Sequence, residues 1–202
     1  LARARDLNKD QSYFLWTLTQ EKLAHVLFPV EKYIKPQVRE MARGFGLPNA
    51  ERKGSEGVWF VGELDVFDFL KAMIPSEPGP VLTRAGKHVG EHQGAAFYTV
   101  GQRHGIGSVG GGTTYYVAEK DIKQNVLYVA EGESDAYLYR KELTAGQVHW
   151  ISGNAPEFPL RCAARIRYRQ ALQWCTVTKL PATSYKLQAV FDVPQRAVTP
   201  GQ

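Results

Sequence analysis

The sequence predicts an α+β protein, with a helical block first and a β-rich remainder. Three observations lead there. Apolar residues recur at helical spacing through the first 75 residues, short β-rich runs punctuated by turn signals begin at Gly79, and no stretch alternates strand and helix as βαβ units do. Phe14, Leu15, Leu18, Leu23, Val26 and Leu27 predict a first helix, capped by Asp10 or Ser12 and ending before Pro29. Pro36 in a first turn, Val38, Met41 and Ala42 on one face, and Gly46 as terminator predict a second helix from Pro36 to about Phe45. Residues 52–62 read as a glycine-punctuated loop with a short strand. Val66 to Ile74 reads as a third helix closed by Pro75.

Strands are expected at Val81–Thr83, Ala96–Val100, Tyr115–Ala118 and Val126–Ala130, then at Gln147–Ile151, Cys162–Tyr168, Gln173–Leu180 and Tyr185–Phe191. Gly132 to Lys141 marks a seam between two β units. The last residues, Thr199-Pro200-Gly201-Gln202, follow a turn signal with no closing strand. An antiparallel unit ending there would leave an edge unpaired, which natural proteins avoid. The expectation is therefore a piece of a larger protein, in three parts: residues 1–75, 76–138 and 139–202.

Composition narrows the function classes. The hydrophobic fraction of 44% and charged fraction of 22% belong to an ordinary globular chain of 202 residues. No apolar run approaches the ~18 residues of a membrane span, and LARARDLNKDQ has no signal-peptide core. The net charge of +5 permits nucleic-acid binding without requiring it. Two cysteines, Cys162 and Cys175, are too few for a disulfide scaffold or a zinc site, and they read as buried small residues. This points to a reducing, cytoplasmic home. His88, His92, His104 and His149 show no ligand spacing, so no metal is assigned.

Three stretches can carry chemistry. Gly101 to Gly112, GQRHGIGSVGGG, holds six glycines in twelve residues. Such a loop can bring bare amides close to an anion, or can serve as a long hairpin connection; its spacing matches neither the dinucleotide fingerprint nor a P-loop. Asn8-Lys9-Asp10-Gln11-Ser12-Tyr13 sets a cation, a carboxylate and an amide at a helix start, which suits either a phosphate or a plain Asp cap. Arg165, Arg167 and Arg169 alternate with Ile166 and Tyr168. On a strand that alternation gives one arginine face, suited to a phosphate backbone or to surface ion pairs, with Tyr168 able to stack on a base.

Taken in order, NKDQSYFL (8–15), LFPV (27–30), KPQVRE (35–40), GEHQGAAFYTVGQRHGIG (90–107), YYVAEKDIKQNVLYVAEG (115–132), RIRYRQ (165–170) and AVTPGQ (197–202) resemble the bacterial and mitochondrial tRNA-specific 2-thiouridylases over essentially the whole chain. The resemblance implies a tRNA-uridine 2-sulfurtransferase that makes 2-thiouridine at the wobble position. In that family a PP-loop domain binds ATP with Mg and adenylates the uridine. A cysteine persulfide loaded by a sulfur-relay donor protein then displaces AMP. The implied architecture is the helical tail of the PP-loop α/β domain, a small β-rich central domain, and an incomplete antiparallel β-barrel. The implied tRNA contacts are Lys9, Asp10 and Gln11, then Arg167 and Tyr168, and finally Gln202, near the substrate base. The GQRHGIG loop matches the central-domain signature and is expected to shape the RNA-facing surface.

The chain departs from the family pattern in two ways. The ATP loop and the first cysteine are missing, so ATP and Mg are expected to bind outside these residues. In the loop that carries the second family cysteine, GSEGVWFVG (54–62), Trp59 stands at the cysteine position. Indole cannot carry a persulfide, so no catalytic residue is assigned and these residues alone are expected to be inactive. A divergent thiolase with one cysteine, a paralogue that binds tRNA without sulfur transfer, and an engineered substitution all account for Trp59. Two non-catalytic functions compete with the enzyme: an RNA-binding module on the same scaffold, and a β-barrel module for protein partners.

Overall fold

A computed structural model describes residues 1–52, 66–74, 77–106, 112–181 and 186–201, with the side chains of 66–68 excepted. Helix and sheet are mixed, and the chain divides into two compact units. One is built from residues 1–55 and 144–190, the other from 56–143 and 191–202. No helix among the described residues is long and apolar enough to cross a membrane.

The predicted first helix is two short pieces. Ser12–Leu15 makes a 3-10 turn, and α1 spans only Gln20–Leu23. The break lies at Thr19, whose extended backbone and side chain cap α1 by accepting from the Lys22 amide. None of these residues is buried, so no packed face rewards a longer helix. The second helix forms as expected. α2 runs Lys35–Gly44, with Pro36 in its first turn, and Val38, Met41 and Ala42 are its half-buried residues apart from Arg39. Gly46, at φ +66°, reverses the chain beyond it. α3 follows at Val66–Met73.

Among the described residues, eight strands form two four-stranded sheets. These are β1 Gly79–Thr83, β2 His88–His92, β3 Tyr115–Asp121, β4 Val126–Glu131, β5 Tyr139–Ala145, β6 Leu160–Ala164, β7 Gln173–Lys179 and β8 Leu187–Arg196. The first sheet has the order β2-β1-β4-β3, and the second β5-β8-β7-β6. β1/β2 and β3/β4 are antiparallel, but β1 and β4 pair in parallel, joining the two hairpins. β4 is therefore interior and buried on both faces, which explains its unbroken apolar run. Val81, Val89, Val117, Leu127 and Val129 pack with Ala95, Tyr98 and Ile106 on one face, and Ala118, Ala130 and Leu138 on the other. No closed barrel is seen among the described residues.

Three expected strands differ. Ala96–Val100 is mostly turn: Gly94, at φ +118°, starts a 3-10 turn at Ala95–Phe97, and Tyr98 is buried with its hydroxyl donating to the Gly105 carbonyl at 2.7 Å. Gln147–Ile151 is loop, because Gln147 takes a left-handed φ of +51° and Ile151 offers its carbonyl to the Gln20 side chain at 2.8 Å. Cys162–Tyr168 is strand only to Ala164. β2 and β5 were not expected. Their alternation is disguised by His, Gly and charged residues, HVGEH and YRKELTA.

A buried polar hub steadies the start of the first sheet. His92 accepts the Gly94 amide on Nδ1 at 2.9 Å and donates from Nε2 to the Asn125 carbonyl at 3.1 Å. This arrangement holds a neutral imidazole. Burial lowers its pKa from 6.5, partly opposed by the Asn125 bond. Asn125, at φ +54°, also accepts the Ala95 amide and donates to the Glu77 carbonyl. Gly79 lies against this hub, where an added Cβ would collide with the Asn125 carbonyl and sit 2.8 Å from the His92 ring. Gly79→Ala is expected to lower stability by about 1–3 kcal/mol, read as a lower urea midpoint with unchanged slope. An unchanged midpoint would show that the hub yields freely.

Candidate nucleic-acid interface

Lys9, Asp10 and Gln11 alternate out, in and out. Lys9 and Gln11 are exposed, whereas Asp10 is completely buried. Isolated buried carboxylates are costly, so this one is surrounded by donors. Its Oδ1 accepts the Ser12 amide at 3.1 Å and the Ala4 amide at 3.4 Å. Its Oδ2 meets Arg3 Nε at 3.2 Å and Arg165 at 3.5 Å. Burial raises the Asp10 pKa, but the Ser12 hydroxyl and amide, Arg3 and the Ala4 amide outweigh it and hold the group at about 2. Asp10 therefore clasps its own segment to the end of β6 and presents no free carboxylate to a ligand.

The RIRYRQ stretch is a turn. Arg169 takes a φ of +66°, the Gln170 amide donates to the Arg167 carbonyl at 3.2 Å, and Gln170 Oε1 accepts the Ile166 amide at 2.9 Å. The expected single arginine face does not form. Arg165 turns inward to Asp10, Arg167 is half-buried, and Arg169 is exposed with its guanidinium 5.2 Å from the Tyr168 ring centre. The Tyr168 ring stacks on Tyr13 at 5.0 Å and 30°, and its hydroxyl donates to the Asn8 carbonyl at 3.0 Å. Tyr168 thus braces the N-terminal segment. The structure brings Lys9, Asp10 and Gln11 onto the same small region as Arg167 and Tyr168, about 160 positions along the chain. Gln202 and Trp59 lie outside the described residues.

A cleft of about 530 Å³ opens beside this clasp, lined by Asp6, Asn8, Lys9, Ile34, Lys35, Pro36, Arg39 and Arg43. Four of those side chains are cationic. Asp6 Oδ2 accepts the Lys35 amide at 2.8 Å, and Oδ1 accepts the amides of Asn8 and Lys9 at 3.1 and 3.2 Å. The Lys35 bond leads in lowering the Asp6 pKa. A carboxylate thus occupies the N-terminus of α2, where an anion would otherwise sit. The sequence reading missed Asp6, Lys35, Arg39 and Arg43. The one local signal is the Asp-x-Asn-Lys order at residues 6–9, which suits a turn, whereas the bond to Lys35 crosses 29 positions. A second cleft of about 440 Å³ is lined by Arg3, Tyr13, Trp16, Ala164, Arg165 and their neighbours.

The glycine-rich loop is described only in part; residues 107–111 lie outside the described set. Its front is pinned. The Gly101 amide donates to Val117, the Val117 amide to Gln102, and Gln102 Nε2 to the His104 carbonyl at 2.8 Å. Gly101 and Gly105 take φ of +89° and +77°, so glycine is used there for turning. The amides of Gly101 and Gln102 are spent on the chain itself and offer no anion cradle.

Known proteins match the whole chain. Residues 1–63 match the model of the tRNA methyl transferase HUP domain, 67–131 that of the tRNA methyl transferase PRC-barrel domain, and 140–202 that of the Aminomethyltransferase beta-barrel domain. The tRNA-specific 2-thiouridylase MnmA of Nitrosococcus oceani is 44% identical over 207 residues, covering 100% of this chain and 56% of that protein. Those of Burkholderia pseudomallei and Geobacillus thermodenitrificans are 47% and 45% identical, each covering 100% of this chain and 54% of the relative. The chain belongs to the tRNA-specific 2-thiouridylase family and spans about half the length of these curated relatives.

Asp10→Ala is expected to cost about 1–3 kcal/mol, because Arg165 and the Ser12 and Ala4 amides lose a shared acceptor. Acid should act through the same group. A carboxylate with a lowered native pKa stabilises the fold above its unfolded value near 3.8, and that contribution is lost as pH falls through about 2. Hydrogen exchange at Ala4 and Ser12, followed against pH in wild type and variant, checks both. Equal protection in the two proteins would remove the clasp from the account.

Proposed function

We propose, from membership of the tRNA-specific 2-thiouridylase family, that this chain is the tRNA-holding portion of a tRNA-uridine 2-sulfurtransferase making 2-thiouridine at the wobble position. The observation that carries the reading is the Asp10 clasp. It gathers exposed Lys9 and Gln11, the Arg167–Arg169 turn and the Lys35, Arg39 and Arg43 cleft within one unit. Cations arranged this way suit a phosphate backbone, and the partly exposed rings of Tyr13 and Trp16 suit an unstacked base. Lys9 and Gln11 meet the RNA directly in this reading, Asp10 and Tyr168 hold the surface that does so, and Gln202 approaches the base. The three-part division at residues 75 and 138 and a C-terminal β-barrel are supported by the three consecutive family matches.

ATP with Mg would activate the uridine carbonyl in the whole enzyme. The described residues do not suit that group: the cationic cleft holds the Asp6 carboxylate at the one helix terminus facing it. In this reading ATP is held by other parts of the longer protein, and a sulfur-relay protein supplies the sulfur. A cytoplasmic location fits a tRNA substrate.

Two experiments test the reading. Arg167→Ala is expected to weaken tRNA binding by about 1–3 kcal/mol, and Lys9→Ala to lower the salt dependence by about one phosphate contact, in filter-binding titrations from low to moderate salt. Unchanged affinity and slope would point to protein partners instead. In the full-length protein, Trp59→Cys is expected to raise 2-thiouridine in tRNA, measured by nucleoside mass spectrometry. No change there, with tRNA binding intact, would favour a binding paralogue whose loop has left the sulfur path.

A further inference from the structure

β6 and β7 form an antiparallel hairpin in which Cys162 stands directly opposite Cys175, and their sulfurs are 3.7 Å apart. Both are thiols, Cys162 half-buried and Cys175 buried. Opposite residues in such a pair have Cα atoms about 4.5–5.5 Å apart. That lies within the roughly 4.4–6.8 Å that a disulfide bridges. The neighbouring pairs on the same face are Leu160 with Val177 and Ala164 with Gln173, so no ionic side chain comes between the sulfurs. We propose that Cys162 and Cys175 are a reversible oxidation site that reacts with low-molecular-weight disulfides and closes a covalent staple across the hairpin.

The difference in burial divides the roles. Cys162, the reachable sulfur, attacks one sulfur of the small disulfide as thiolate, forming a mixed disulfide and releasing one small thiol that carries away the Cys162 proton. Cys175 then attacks Cys162 Sγ, the mixed bond breaks, and the second small thiol leaves with the Cys175 proton. Two electrons pass from the cysteine pair to the small disulfide, which is reduced to two thiols. The closed loop encloses residues 163–174, and so the whole Arg165–Gln170 turn with its ties to Asp10 and Asn8. Oxidation thus stiffens the base of that turn without touching its side chains.

The test uses the reduced full chain in its native fold, incubated with oxidised glutathione, quenched with iodoacetamide and read by intact mass and tryptic mapping. The expected product is lighter by two hydrogens, retains no glutathione, and loses both alkylation sites. Peptides Cys162–Arg165 and Gln170–Lys179 should emerge as one linked species that dithiothreitol separates. Cys175→Ser should instead keep glutathione on Cys162, because no second sulfur resolves it. Wild-type protein that retains glutathione on Cys162 while Cys175 is alkylated, or that is alkylated at both positions, overturns the proposal.

Discussion

A single carboxylate, buried with no exposed surface, organises the unit made of residues 1–55 and 144–190. Among the described residues of that unit, the buried apolar side chains are only Ala50, Cys175 and Ala189. So small a core cannot by itself dictate how an irregular N-terminal segment lies on a hairpin. Asp10 does so by charge and hydrogen bonding. Once out of water it must be matched by donors, and the arrangement that supplies Arg3, Arg165 and two amides together is a narrow one. Tyr168 and His149 add further ties of the same kind, to the Asn8 and Leu18 carbonyls. Lys9, closing the turn that begins at Asp6, and Gln11, just ahead of the 3-10 turn, stay exposed on either side of Asp10.

The other unit rests on a different principle. Its interior strand β4 is apolar on both faces, and its cores of valine, leucine and tyrosine close over it. Among the described residues of this unit the buried polar side chains are Thr83, His92 and Gln195, and His92 works with the half-buried Asn125 to tie a turn to the sheet. The glycine-rich loop belongs to this logic. Its leading glycines let the chain reverse and return its amides to β3, so the conformational freedom that made the loop look like an anion site is spent on topology.

The elements legible in advance were those with a strong periodic face or an unambiguous stop. α2 had Pro36, a three-residue apolar stripe and Gly46; β3, β4 and β7 had dense β-branched and aromatic runs. The failures share a cause. Residues 14–27 have helical spacing but none of them is buried, and residues 147–151 and 165–168 have strand-like composition but contain or adjoin a left-handed residue, Gln147 or Arg169, that no pattern announces. The parallel β1–β4 pairing was hidden as well, because it joins segments more than forty positions apart. The motifs offered Lys9, Gln11, Arg167 and Tyr168 as candidate tRNA contacts, but neither the meeting of their two segments through Tyr168 and Asn8 nor which side chains face outward was legible there.

The order of residue types along this chain was enough to determine its α+β character, its family and the two stretches that meet at the clasp, because these depend on local periodicity and on motifs read in succession. Which carboxylate is buried, which arginine is consumed by it, and which two thiols stand opposite one another were decided only in three dimensions. Desolvation and strand register act between residues far apart in sequence, and each side chain's role is set by the donors and neighbours that folding brings to it.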